Sequence, residues 1–238
     1  MRGVIVGFAV VAPLAAVLLW PYGILILLLA HGLLLYATLR PNVQWLGPVI
    51  TAFEPRGDEL WLTIDDGPTD DTPAILDALD ARGAKATFFV KGTLARQRPE
   101  LVRAIVERGH GVANHSDTHP SATFWCLPPA AIAREMDGGV QSRWFRAPVG
   151  MKNPFVHPAL RRRGMQLIGW SVRGFDAVRV DIDRVAARIV PRVFPGAIVV
   201  MHQGRDVSTR CIARVVDELR ARGYAFVIPD DERLKTKR

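Results

Sequence analysis

Residues 60–68 read Leu-Trp-Leu-Thr-Ile-Asp-Asp-Gly-Pro. The first five are apolar, aromatic or β-branched, a short run suited to a strand buried on both faces. Asp65 and Asp66 end that run, and Gly67 and Pro68 turn the chain away. Carboxylates closing a buried strand are costly unless a cation, a hydrogen-bond donor or a proton-accepting role stabilises them. Taken alone, the tetrad is equally well explained by a plain Asp-Gly turn, so its meaning depends on what flanks it.

Downstream, short β-rich runs alternate with helical ones. Ala86–Val90, Gly111–Asn114, Trp144–Ala147, Gln166–Val172, Ala197–Met201 and Ala225–Ile228 read as further strands. Thr72–Arg82, Pro99–Arg108, Pro129–Met136, Pro158–Arg163, Ile182–Val193 and Thr209–Arg222 read as helices, several opened by Pro and several closed by Gly83, Gly109, Gly164 or Gly223. Such alternation implies parallel pairing with right-handed crossovers. The expectation is an α/β fold, a distorted (β/α) barrel of about seven units over residues 59–230. In such a fold the chemistry gathers at the C-terminal ends of the strands, where Asp65 and Asp66 lie.

The same position after the Gly111–Asn114 strand carries His115-Ser116-Asp117-Thr118-His119. Histidines four apart share one face of a helical turn, so two imidazoles can converge on one cation. Either histidine alone reads as a polar loop residue. With a carboxylate from a neighbouring strand end they form a two-histidine, one-carboxylate set, which leaves coordination positions open for water and substrate. Non-haem iron oxygenases use the same set, so the ligands alone do not fix the reaction; the strand–helix alternation weighs against that class. Arg146, Asp176 and His202 follow three later strands. Each has a bland reading, as a surface arginine, a solvated aspartate and a capping histidine, but together they would meet on one rim.

The segments Thr63-Ile64-Asp65-Asp66-Gly67-Pro68, His115–His119, Arg146-Ala147-Pro148-Val149-Gly150 and Val200-Met201-His202 occur in the order of the motifs of the polysaccharide deacetylases, the NodB-type carbohydrate esterases, and the chain resembles that family over Leu60 to Ile228. The resemblance implies that Asp65 is the general base and that Asp66, His115 and His119 hold a divalent metal, zinc by expectation. It further implies that Arg146 orients the base, His202 is the general acid and Asp176 tunes that histidine. Where members of the family often carry an aspartate and a tryptophan around the fourth motif, this chain has Arg173 and Ala177, and Val149 stands where tyrosine is common. The backbone amide there, which the resemblance assigns to the oxyanion, survives a side-chain change, so the departures bear on the substrate subsites.

The chemistry is coherent without the family. Amide hydrolysis needs a nucleophile, stabilisation of a tetrahedral oxyanion and a proton for the amine, which a metal, a carboxylate base and a histidine acid supply. The expected activity is a metal-dependent hydrolase removing N-acetyl groups from a carbohydrate. An O-deacetylase or a lipid-sugar deformylase would use the same residues, and a membrane-tethered glycan-binding module on a relic fold is the non-enzymatic alternative.

Upstream, residues 1–45 contain no charge except Arg2 and Arg40. The apolar stretch Gly3–Leu39 would run about 55 Å as one helix, beyond the roughly 30 Å hydrocarbon core. Trp20-Pro21-Tyr22-Gly23 interrupts it midway, so residues 1–41 are expected to form a hairpin of two short transmembrane helices. The positive-inside rule, applied to Arg2, Arg40 and Arg56, then places the catalytic part on the cytoplasmic side of a bacterial inner membrane, and a single-pass anchor would reverse this. A membrane hairpin suggests a lipid-linked sugar or a nascent envelope glycan as substrate, with the lipid bilayer itself as a partner. Residues 42–58 read as a juxtamembrane linker and 231–238 as a basic tail.

The chain has 31 Lys and Arg against 23 Asp and Glu; beyond residue 45 the balance is 29 against 23, scattered rather than gathered in a basic run, which argues against nucleic acid. Cys126 and Cys211 have no metal-knuckle or disulfide-framework spacing and read as inert thiols.

Overall fold

The computed structural model describes residues 22–178 and 181–236, with positions 7, 11 and 13 ahead of them. Strand β2 (Glu59–Gly67) is the axis of the molecule. It pairs in parallel with β3 (Ala86–Val90) on one side and β8 (Ile198–His202) on the other. The sheet continues through β4 (Gly111–Asn114), β5 (Trp144–Phe145) and β6 (Gln166–Leu167) beyond β3, and through β7 (Val172–Arg173) beyond β8. The order is therefore β6-β5-β4-β3-β2-β8-β7, with β9 (Ala225–Phe226) pairing the start of β2. The result is a curled seven-strand parallel sheet, an incomplete barrel.

Period-two alternation along β2 sorts its side chains. Leu60, Leu62 and Ile64 join the core under helices α2 (Thr72–Asp80), α7 (Ile182–Ile189) and α8 (Ser208–Ala221). Trp61 faces the inside of the curl with Phe89, Ala113, Ile198 and Val200. Thr63 and Asp65 follow Trp61 on that inner face, so the interior is apolar at one end and polar at the other. Both faces of β2 are covered, as in parallel sheets generally.

The strand expected over Gln166–Val172 is split into β6 and β7. Gly169 is the cause: its amide donates to Ile50 O, and a Cβ there would lie 2.6 Å from Asn42 Oδ1, so the backbone leaves the sheet to make room for another segment. That segment is the stretch read as a linker. It contains β1 (Ile50–Phe53), which bridges Ile168, just past the edge strand β6, and Ala197, just before β8. β1 also pairs antiparallel with β10 (Leu234–Thr236), in the stretch read as a tail, where Arg233 pairs with Glu59 and Lys235 with Glu54 at 2.7 Å. The short helix α3 (Gly92–Gln97) was not foreseen either.

Among the described residues the N-terminal end has one apolar helix, α1 (Tyr22–Leu39), of mean hydropathy 2.0, and no second arm to make a hairpin. The expected first arm lies at residues 1–21, outside the described residues but for three positions. Most of α1's leucines are exposed, and its C-terminal end is tied to the rest of the chain. There Lys152 donates its backbone N–H to Thr38 O, and its ammonium donates to Arg40 O and Pro41 O at 2.8 Å each. A cation on the last carbonyls satisfies acceptors that a helix end leaves open and suits the helix dipole. Of the two thiols, Cys211 is buried in α8, where burial pushes it up to about 12, whereas Cys126 is exposed.

Candidate active site

Adjacent residues on a regular strand point to opposite faces, so Asp65 and Asp66 should not share a cleft. They do, because Asp66 adopts φ 77° and the pairing with β3 slips between Asp65 and Gly67. This bulge re-aims the second carboxylate. Gly67 is required beside it, since a Cβ would lie 1.9 Å from Gln203 Nε2.

His115 and His119 converge as well, though on a loop rather than the helical turn that their spacing suggests. Ser116 (φ 65°) and His119 (φ 56°) both take left-handed backbone. Side chains from the flanking elements fix that shape. Asn114, ending β4, accepts the Ser116 N–H at 2.8 Å and donates to Met136 O and Val140 O, while Glu135 accepts the amides of Asp117 and Thr118. Of the described non-glycine residues, five have positive φ: Asp66, Ser116, His119, Val149 and Phe175. All five sit in or beside this cleft, where strained backbone held by its surroundings is commonly found.

The ligating atoms of Asp66, His115 and His119 lie within 4.8 Å of one another. Asp66 Oδ1 is 3.9 Å from His115 Nε2 and 3.7 Å from His119 Nε2. Donors so spaced fit around one ion with bonds of about 2.0–2.2 Å. Three observations support the fit. Asp66 Oδ1 is buried and accepts no aligned hydrogen bond, the Lys91 ammonium 2.9 Å away serving as a counter-charge. His115 Nδ1 meets Arg146 O at 2.9 Å, which as a donor fixes the tautomer that leaves Nε2 free. Both imidazoles are kept neutral, the form that ligates: burial lowers His115, and burial, with the neighbouring His115 ring disfavouring a second proton, lowers His119 to about 3. For Asp66 burial acts upward, but its interactions with the neighbouring His115, Lys91 and His119 outweigh it and hold the carboxyl well below the usual carboxylate range.

Asp65 lies next to this triad with its Oδ2 3.8 Å from His115 Nε2. Its Oδ1 accepts from Arg146 Nη1 at 2.6 Å. Arg146 is fully buried, stacked 4.0 Å from the Phe89 ring, and spends its other donors on Thr63 Oγ1, Ile168 O and Gly169 O. Four of its five N–H donors, on all three nitrogens, are engaged, so the guanidinium cannot swing and the carboxylate that it holds has one orientation.

On β8, His202 is the register partner of Asp65. Asp176 holds it twice, accepting the His202 backbone N–H at 2.6 Å and meeting Nδ1 at 3.0 Å. Burial disfavours the imidazolium, but the Asp176 hydrogen bond and charge, with Asp65 and Asp66, outweigh it and leave the His202 pKa above its ordinary value. The seven residues singled out from sequence thus meet in one place. Asp65, Asp66, His115, His119 and His202 line a cleft of about 240 Å³ with Val149, Gly150, Trp170, Arg173, Phe175 and Val178, and Arg146 and Asp176 stand directly behind. Thr63, Lys91 and Trp170 were missed, and sequence gave no signal for them beyond their place near strand ends.

A model of the family described as polysaccharide deacetylase matches residues 53–168. A chitooligosaccharide deacetylase of a Bradyrhizobium species is 33% identical over 190 residues, 69% of this chain and 86% of that protein. The chain belongs to the polysaccharide deacetylase family. A peptidoglycan-N-acetylglucosamine deacetylase of Listeria monocytogenes is 32% identical over 71% of this chain and 38% of that longer protein. Among solved structures, a family 4 carbohydrate esterase from Streptomyces lividans in complex with acetate superposes with a TM-score of 0.67 at 31% identity, covering 74% of this chain and 95% of that one. This polysaccharide deacetylase is accordingly an enzyme, a hydrolase acting on acylated sugars, and the relic glycan-binding reading is set aside.

Proposed function

We propose that the protein removes the N-acetyl group from an amino sugar of a membrane-associated or lipid-linked glycan, with a divalent metal, zinc for a set of two imidazoles and one carboxylate, held by Asp66, His115 and His119. One observation carries this reading: the Asp65–Arg146 pair, the His202–Asp176 pair and the donor triad open onto a single cleft.

When bound, such an ion polarises the acyl carbonyl and lowers the pKa of water toward neutrality. Asp65, fixed by Arg146 through one oxygen, accepts the proton of the attacking water on the other. The Val149 amide on the cleft wall donates to the oxyanion. His202, kept cationic by Asp176, gives its proton to the departing amine from the ring nitrogen that Asp176 does not hold. O-deacylation or deformylation would share the first of these steps, and product analysis separates them.

The membrane part of the proposal is supported by how α1 meets the site. Just after the helix, Pro41 packs on Gly150, whose φ is +73° and where a Cβ would lie 2.6 Å from both Pro41 Cβ and Trp170 Cη2. Asn42 donates to Trp170 O at 2.7 Å. Gly150 and Trp170 are cleft walls. An apolar helix anchored in a bilayer would therefore hold the cleft at a fixed height above it, suiting a substrate presented there.

The test is to incubate the zinc-loaded, detergent-solubilised chain with N-acetylated chitooligosaccharides, peptidoglycan fragments and lipid-linked acetylamino sugars, and read the released acid by mass spectrometry. Acetate release that is abolished by chelation and restored by zinc is expected. Release that persists in chelator would overturn the metal-dependent part, and no release from any amino sugar would overturn the whole.

A further inference from the structure

The cleft contains one charged group that none of the steps above uses. Arg173 ends β7 and forms part of the cleft wall. It is half-buried, with its guanidinium carbon 3.8 Å from the centre of the Phe175 ring and 5.6 Å from that of Trp170. Phe175 reaches this position because its backbone takes φ 63°, a conformation that a bulky residue adopts only when its surroundings hold it there. Stacking on a ring fixes the plane of a guanidinium while leaving the N–H donors at its edge free.

Those donors meet no acceptor among the described residues. Among the described residues Arg173 makes no side-chain hydrogen bond and no carboxylate comes within 4 Å. The nearest candidate, Asp176, commits both oxygens to His202. Arg188 adds to the imbalance from the other element packed here, its guanidinium standing 5.2 Å from the same Phe175 ring. Among the described residues that wall of the cleft is positive with no hydrogen-bonded or ion-paired acceptor, Asp176 reaching Arg173 only through its charge, while Asp65 and Asp66 are each matched by a cation of their own, Arg146 and Lys91. A partly desolvated guanidinium without a partner is unfavourable in the free protein, and a planar fork of donors matches the oxygens of a phosphate or carboxylate.

We infer that Arg173 is a specificity-determining residue that binds a phosphate or carboxylate carried by the substrate beside its acyl-bearing sugar. The inference rests on the deacetylase reading and narrows it: the preferred substrate is an anionic glycan, not a neutral one. A phosphate would come from a sugar phosphate or a lipid-linked sugar, a carboxylate from a uronic acid or a lactyl ether.

Three N-acetylated substrates of equal length separate these sources: diacetylchitobiose, its 1-phosphate, and the disaccharide of glucuronate and N-acetylglucosamine. The measurement is kcat/KM for acetate release from each by the full chain and by its Arg173→Gln and Arg173→Lys variants. The expected result is a wild-type preference of at least about tenfold for one anionic disaccharide, the effect of a single charge-assisted hydrogen bond. Arg173→Gln collapses that ratio and Arg173→Lys restores part of it; the ratio is independent of how much of each variant is folded. Equal kcat/KM on neutral and anionic substrates in the wild type, or an equal loss on all three in Arg173→Gln, would overturn the inference and leave the deacetylase standing. No acetate from any of the three, nor from the peptidoglycan fragments and lipid-linked sugars named above, would overturn the deacetylase reading on which the inference stands.

Discussion

Asp65 and His202 are direct register partners on the neighbouring strands β2 and β8, and each is immobilised by a charged residue from elsewhere in the chain, Asp65 by Arg146 at 2.6 Å and His202 by Asp176 at 3.0 Å. Neighbouring strands lie about 4.8 Å apart, and register partners share a face. A proton acceptor and a proton donor are thereby set one strand apart on the floor of the cleft, with the donor triad beside them. The following expectations depend on that arrangement.

Asp65→Asn keeps the size and loses the proton acceptor. It should lower kcat by about 10²–10⁴-fold while the metal content of the purified protein stays at the wild-type level. His119→Ala should lose metal and activity together. Metal analysis beside acetate release distinguishes the two; metal loss in Asp65→Asn would make Asp65 a ligand rather than the base.

Arg146→Met removes the buried partner of a buried carboxylate. Breaking such a pair costs about 3–5 kcal/mol, because the other charge is left uncompensated. Urea unfolding should show this, and Arg146→Lys should recover only part, since one ammonium cannot reach Asp65, Thr63, Ile168 and Gly169 together.

The pH dependence has a definite sign. His202 has a folded pKa above its ordinary 6.5, so its contribution to stability is complete below that value and is lost as pH rises through the folded pKa. The alkaline limb of kcat against pH should report the same group in the enzyme–substrate complex. Asp176→Asn removes the hydrogen bond and charge that raise it, so that limb should move to lower pH; a limb that does not move would assign the acid role to another group.

Lys152 gives the opposite trend. Burial holds it down to about 8 from 10.5, so between those values the unfolded chain binds the extra proton and stability rises with pH. The rise attributable to Lys152 is on the order of 3 kcal/mol at most. Comparing wild-type and Lys152→Met unfolding in detergent across that window should show it vanish in the variant. Lys152→Met should also reduce kcat, because the lysine ties the end of α1 to the segment that forms the Gly150 wall.

Where a residue's environment is set by local pattern, the sequence was a sufficient guide. β3 and β4 begin and end where their apolar runs do, and the helices opened by Pro99 and Pro129 start at those prolines. The seven site residues were legible because strand ends in a parallel sheet must meet on one rim. What was not legible depends on contacts between distant segments. The strand expected over Gln166–Val172 is interrupted because Asn42 and Ile50 occupy its place at Gly169, a contact across more than a hundred residues. The stretches at 42–58 and 231–238 looked irregular because β1 and β10 are too short to show a period, and each is stabilised by the other. The left-handed backbone at Asp66 and His119 is imposed by neighbours and leaves no mark on the residue types themselves. Arg173 was visible only as a departure from the family pattern; its lack of a partner needed coordinates.

The most direct measurement is a crystal structure of the zinc-soaked protein with anomalous data collected at the zinc edge. The account predicts one strong peak bonded at about 2.0–2.2 Å to Asp66, His115 and His119, with Asp65 beside it but held by Arg146. A peak coordinated by other residues, or none at these three under zinc saturation, would contradict it.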